Sequence, residues 1–369
     1  MLAVVLLLVA AEPIVAAEPV VAADAGEATA VEHELGETRS DGSGRLLTAT
    51  TAEPVATPRV IAERALPAVL EGGLSWRDEK GCLSCHRGAV AAWAVRSAMA
   101  ADLQFDRDRG RELLSWTDDW TSLLAPEKRT DADQQDTLRR ESDAVAQLLL
   151  SRLNRSEDVA ALRAAMQPDG TWKAGGQLPL QDRPAGETTD VSTAWVRYAL
   201  GVATESNAAE TVAASPPHRV LPRRDPTTTE WVAVHLLLAA SRPPSDPDAD
   251  AARLVEQLLE LQADDGGWPW KIGRASDALG TGIAMYALVQ AVDSSAGEGR
   301  ADEIEAALAA AVAFLDRTQT AIGGWRVAGT KRSARGRVTE TASYWGTSWA
   351  VIALLAVDDQ RESRSAVDR

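Results

Sequence analysis

Apolar residues recur along this chain with the spacing of helix faces rather than of strands. In "ADAARLVEQLLELQ", which ends at Gln262, the residues Leu254, Val255, Leu258 and Leu261 fall on one side. In "ADEIEAALAAAVAFLDRTQ", which ends at Gln319, Ile304, Leu308, Val312 and Leu315 do the same. Each stripe then breaks at glycine: "QADDGGW" runs from Gln262 to Trp268 and "QTAIGGW" from Gln319 to Trp325, with a third copy, "QPDGTW", from Gln167 to Trp172. Glycine there supplies left-handed backbone that ends a helix, after which tryptophan can pack back over the turn. Internal repetition is therefore the organising feature, and the long gap between Trp172 and Trp268 has room for one further, degenerate unit.

A second set of apolar segments shares a frame: "TAWVRYAL" from Thr193, "TEWVAVHL" from Thr229, "TGIAMYAL" from Thr281 and "TSWAVIAL" from Thr347. Threonine is expected to open each helix as its N-cap. Trp195, Trp231 and Trp349 follow two residues later, and Ala199, Ala287 and Ala353 four residues beyond that position, on the same face. Small residues there let neighbouring helices approach closely. "AVAAWAVRSAMA" around Trp93 fits the tryptophan and small-residue positions without the threonine. The unit is an αα-hairpin, and stacked αα-hairpins form either an open solenoid or a ring.

This glutamine, glycine and tryptophan pattern, followed by such a helix, resembles the QW repeats of squalene-hopene cyclases and their prenyltransferase relatives. The resemblance covers roughly residues 60 to 357. It implies an all-α, α/α toroid in which outer helices surround inner ones. It also implies that Trp172, Trp268 and Trp325 clasp helices together while Trp93, Trp195, Trp231 and Trp349 stand on inner helices near any central cavity. Class II cyclases of this group protonate an alkene with the middle aspartate of a D-x-D-D motif. This chain has none: "DPDAD", from Asp246 to Asp250, lies in a proline-rich loop, and "TDDW", with Asp118 and Asp119, lacks the first aspartate. Both sets read as loop or helix-cap carboxylates. Prenyltransferase subunits need a zinc site of Asp, Cys and His, which cannot be rebuilt because both cysteines of this chain stand in one motif. The resemblance thus carries fold rather than catalysis.

Composition adds three constraints. Twelve Trp against three Tyr and two Phe is a skew the fold must use. A formal net charge of −16, without a basic run interleaved with aromatics, disfavours nucleic acid as a partner. The opening run "MLAVVLLLVAA" is too short for a membrane helix of ~20 residues and reads as an export signal over residues 1–17. Residues 18–58, rich in Ala, Glu, Thr and Pro and holding His33, read as a flexible linker. The toroid is expected over 59–369, with a charged tail that frays. An exported, periplasmic protein, not integral to the membrane once the signal is removed, is the expectation.

The candidate chemistry lies in "GCLSCHRGAVAAWAV", which holds the only two cysteines, Cys82 and Cys85, followed by His86. Three chemistries suit CxxCH: a covalent haem c, with thioethers from Cys82 and Cys85 and iron ligation by His86; a CxxC disulfide or thiol redox pair, as export favours; or a metal clip, which lacks a second Cys/His pair. Haem is favoured. The segment resembles exported bacterial proteins that join a cytochrome c-type motif to squalene-cyclase-like repeats, with Trp93 as a shield beside the haem. Met99 shares a helix with His86 and lies too far along it, ~20 Å at 1.5 Å per residue, to ligate the same iron. His235, which replaces the small residue of the inner-helix frame, and Met285 or Met166 are the candidate sixth ligands, each with a core-packing reading beside it. His218 lies in a loop. The expected function is electron transfer or haem-based ligand binding, with a redox partner protein. The alternatives are an enzyme acting on an apolar small molecule in a Trp-lined cavity, and a scaffold with a CxxC disulfide.

Overall fold

The computed structural model describes residues 55–119, 141–152, 156–206, 225–241, 250–292, 294, 297–334 and 336–367. The export signal, most of the linker, His33, His218 and Asp246 lie outside the described residues. Eleven α-helices and no strand form among those described. They are α1 (Pro58–Lys80), α2 (Val90–Ala100), α3 (Arg107–Asp118), α4 (Ser142–Arg152), α5 (Ser156–Ala164) and α6 (Ala185–Ser206), then α7 (Thr229–Ala240), α8 (Ala251–Glu260), α9 (Ala278–Val292), α10 (Ala301–Thr318) and α11 (Glu340–Val367).

The helices sort into two layers. Each of α2, α4, α6, α7, α9 and α11 packs on the next, and α11 returns to α2, so six inner helices close a ring. Outside it, α1 covers α2 and α11, α3 covers α2, α5 covers α4 and α6, α8 covers α7, and α10 covers α9. The chain is an α/α toroid. The outer helix α8 carries its apolar residues Leu254, Val255 and Leu258 inward and the rest to solvent, as its stripe predicts. The inner helices α4 and α7 are buried on nearly every side. The frame had located α7 in the long gap between repeats, but it had not found α4.

The repeat motif acts as a clasp. In each of three copies the indole N–H donates to a carbonyl near the end of the preceding outer helix: Trp172 to Leu162 O (2.7 Å), Trp268 to Leu258 O (2.7 Å) and Trp325 to Leu315 O (2.9 Å). The backbone N–H of the same tryptophan donates to the framed threonine of the following inner helix: Trp172 to Thr193 (3.1 Å), Trp268 to Thr281 (2.9 Å) and Trp325 to Thr347 (3.2 Å). The expected N-cap role of these threonines is thereby corrected. Thr193, Thr281 and Thr347 lie inside their helices, which start upstream, and their hydroxyls fasten the loop to the inner layer. In α7 the cap is Thr228, whose side chain accepts from Trp231 N, one residue before the framed Thr229.

The glutamines join one repeat to the next. Gln262 Nε2 donates to Gly266 O and to Ala307 O of α10. Gln319 Nε2 donates to Gly323 O and to Ile61 O of α1, at 2.7 and 3.0 Å. The last repeat therefore grips the first helix as the Gln262 repeat grips α10, and the ring is shut. Asp316 adds an ion pair with Arg64, and the Tyr344 hydroxyl donates to Val69 O at 2.8 Å.

Candidate functional site

The CxxCH segment sits where α1 hands over to the inner ring. Helix α1 ends on Gly81 in the left-handed region (φ 63°), whose N–H returns to Arg77 O. The Trp76 indole donates to Cys82 O at 2.7 Å and holds the turn. Cys85 opens a π-helical turn, Cys85–Ala89, that leads directly into α2. Ala89 N–H reaches back to Ser84 O, the five-residue span of a π bond, a local form frequent at functional sites. Cys82 is half-buried.

His86 is half-buried between two indoles, with ring centroids 6.3 Å from Trp76 and 6.4 Å from Trp345. Burial, then the positive charges of Arg87 and Lys331, push its pKa down to about 4. The imidazole is neutral at neutral pH, the form that ligates metal. Beside it Arg87 is buried, its guanidinium 4.7 Å over the Tyr344 ring and 5.3 Å over Trp76, and it pairs with Glu340. Ser84 Oγ, Arg87 Nε and Trp345 Nε1 are buried there without hydrogen-bond partners.

A second group of aromatic rings lies at the ring axis. Trp345 and Trp349 lie one turn apart on α11. Trp349 then meets Trp93 and Trp195 at 5.4 Å each and Tyr286 at 6.0 Å. The inner tryptophans thus fill the axis instead of lining an open channel. His235 stacks on Trp231 at 3.9 Å, with Nδ1 2.6 Å from Trp231 O, on α7 across the ring from α2. Met285 is fully buried on α9, Met166 is exposed after α5, and Met99 stands on α2 itself. The structure brings none of them beside His86 in the way it brings Trp76 and Trp345. The two weak aspartate motifs also resolve. Asp118 takes Arg96 (2.6 Å) and Arg152 (2.8 Å), and Asp250 is the residue before α8, paired with Arg253.

Sequence reasoning missed a charged cluster inside the ring. Arg183 and Glu230 pair at 2.8 Å with almost no exposure. Both indole N–H groups of Trp195 and Trp270 donate to the same Glu230 carboxylate, at 3.2 and 3.1 Å. Asp143 on α4 lies within their field and accepts from Gly175 N–H. The one available signal was Glu230 itself, a carboxylate between Thr229 and Trp231 in an otherwise apolar helix. Complete burial pushes the Asp143 carboxyl up to about 6, against the Gly175 N–H bond and the positive charge of Arg183, which favour the anion. A folded pKa above the unfolded one means that stability is fullest below about 3.9 and falls as pH climbs through 6. Asp143→Asn keeps an acceptor without the charge. The variant is expected to be more stable than the parent by roughly 3 kcal/mol at pH 8, shrinking to about half of that at pH 5, in urea unfolding. An effect of the same size at both pH values would refute the burial argument.

At the far end of the inner helices lies a cavity of about 530 Å³ floored by Trp93, Tyr198 and Tyr286. No Asp or Glu is among the described residues that line it. Among the described residues no group of three or more His, Cys, Asp and Glu could hold a metal ion, and no helix is long and apolar enough to cross a membrane.

The family model "Squalene-hopene cyclase C-terminal domain" matches residues 220–369. No curated protein matches. Among solved structures, the chain is similar to the type II terpene cyclase MstE from Scytonema at 16% identity and a TM-score of 0.44, covering 82% of this chain and 98% of that one. It is similar to a protein from Actinoplanes at 17% identity and a TM-score of 0.46, covering 81% and 99%. It is also similar to the polysaccharide lyase BACCELL_00875 at 12% identity and a TM-score of 0.46, covering 82% and 98%. The protein is an α/α toroid, and its residues 220–369 match the squalene-hopene cyclase C-terminal domain in sequence.

Proposed function

We propose that this toroid carries one haem c per chain, attached through Cys82 and Cys85 and ligated by His86, and serves electron transfer in an exported, periplasmic setting. The observation that supports this best is the neutral, half-buried imidazole held between Trp76 and Trp345, on the same π turn that Cys85 opens. The residues fit the group. Two flat apolar walls stand beside the ligand, and the partnerless Ser84 Oγ, Arg87 Nε and Trp345 Nε1 are polar atoms that a porphyrin's carboxylates could satisfy.

A bound haem would supply one-electron redox chemistry. The chain's own residues do the rest. Trp76 fixes the Cys82 carbonyl, burial keeps His86 deprotonated, and Arg87 ties the turn to α11 through Glu340. Trp345 beside His86 and Trp349 beside Trp93 stand one turn apart on α11, a spacing that supports a route for charge inward and so favours electron transfer over simple ligand binding. A redox partner protein would exchange electrons at the CxxCH end. The reading of an enzyme on an apolar substrate is compatible with the fold, but the cavity floored by Trp93 has no carboxylic acid among its described lining residues.

The test is the visible spectrum and intact mass of protein exported by a host with cytochrome c maturation, beside a Cys82→Ala/Cys85→Ala control. A Soret band and covalently added haem mass, both absent from the control, are expected. A colourless protein lighter than its reduced mass by two hydrogens would overturn the proposal and leave a CxxC disulfide on a scaffold.

A further inference from the structure

We infer that the cavity at the opposite end of the ring from CxxCH is a binding site for a neutral, planar, carbonyl-bearing ring of the quinone type. At about 530 Å³ it falls within the ~300–1,000 Å³ range of small-molecule sites. Its walls come from five of the six inner helices, with Trp93, Tyr198, Leu237 and Tyr286 among them. Trp93 meets Tyr286 edge-on at 5.2 Å, and the Tyr198 side chain stands close enough to the Tyr286 hydroxyl to influence its titration. An aromatic floor with one polar spot suits a flat ring that stacks and presents oxygen at its edge.

Charge at the rim selects a neutral ligand. Among the described lining residues the one cationic side chain is Arg96, and its guanidinium is held by Asp118 at 2.6 Å. Asp118 is shared with Arg152, which in turn pairs with Asp158 at 2.9 Å. Among the described residues two arginines thus face two carboxylates, which leaves no net positive charge there to reward a ligand carboxylate. Arg96 Nε is buried and has no hydrogen-bond partner among the described residues, so a small turn of this lining side chain would bring a donor to a carbonyl oxygen in the cavity. The lining hydroxyls of Ser151 and Ser241 donate back to Leu148 O and Leu238 O on their own helices, so their protons are not offered to a ligand carboxylate.

Trp93 also meets Trp349, which stands one helical turn along α11 from the Trp345 beside His86, and this singles out a redox-active carbonyl. That last choice rests on the haem reading; the pocket and its neutrality do not.

The test uses the full chain prepared without haem and menadione as the probe, followed by titration calorimetry. Saturable binding of one menadione per chain is expected. Ala240→Phe and Ser241→Phe, which place a ring in the cavity from partly exposed positions, should each weaken it tenfold or more with unchanged thermal melting. If Ala240→Phe fails to fold, Ser241→Phe decides. No saturable binding, wild-type affinity in the folded variants, or tighter binding of 1-naphthoate than of menadione would overturn the inference. Because the readout needs no haem, its failure would leave the haem proposal standing, and failure of that proposal would leave this binding measurable.

Discussion

Gly323→Ala is expected to unfasten the ring and to cost about 3–5 kcal/mol, more than almost any other single methyl group added to this protein. Gly323 adopts φ +85°, and a Cβ there would stand 1.9 Å from Arg64 O and 2.8 Å from Arg64 C on α1. Left-handed backbone alone costs an L-residue about 1–2 kcal/mol. The remainder comes from the clash with main chain, which cannot swing aside as a flexible side chain can. Relief requires α1 to move away from the loop, and that movement strains the Gln319 bond to Ile61 O and the Arg64–Asp316 pair. Two other glycines separate the contributions. Gly266 has the same φ of +85°, with Ala310 O at 2.6 Å, and Gly273 has φ +80° with nothing within 4 Å. Alanine is expected to cost most at 323, less at 266 and least at 273, as read from urea unfolding of the three variants. Equal costs would mean that only the backbone conformation matters and that the last repeat does not press on α1 as described.

The closed ring explains which parts of the fold could be read from the sequence. Helices α8 and α10 announce themselves because one side of each faces water, so apolar and polar residues alternate with the helical period. Helix α4 does not, since every residue from Ser142 to Leu150 is buried and no polar face marks the period. The threonine frame was legible, but its role was not. A hydroxyl two residues before tryptophan looks the same whether it caps a helix or grips a loop, and the helix start is set by residues further upstream. Closure itself was not readable, because Gln319 and Ile61 lie at opposite ends of the body and only packing brings them together.

The site divides in the same way. Cys82, Cys85 and His86 are neighbours in sequence, so their chemistry shows as a motif. The indoles that flank His86 come from α1 and α11, which a motif cannot show. A lone histidine or methionine in an apolar helix reads alike as ligand or as packing, so the sequence leaves the sixth ligand open. His235 is taken up by Trp231, both by stacking and through its carbonyl.

Arg183→Met is expected to destabilise the protein by about 3–5 kcal/mol, because it leaves Glu230 charged, buried and without its cation. The pair itself contributes little net stability, since removing two charges from water offsets most of their attraction. The double variant Arg183→Met/Glu230→Gln should therefore recover most of the loss. Its side-chain amide would retain an oxygen for one of the two indole donors, Trp195 or Trp270, while no charge remains to be desolvated. A double-mutant cycle in urea is expected to give a coupling of about 2–3 kcal/mol. Additive costs would show instead that Arg183 acts through its packing over Trp270 and its bond to Thr188, and not through Glu230. Strong coupling with little net gain would mark the pair as a device that fixes how α6 and α7 meet. Arg183 precedes α6 in the chain and Glu230 opens α7, and the two indoles that converge on the carboxylate come from α6 and from the loop before α9. One buried carboxylate thereby sets the register of three neighbouring segments, and apolar contacts alone, which tolerate sliding, would leave that register open.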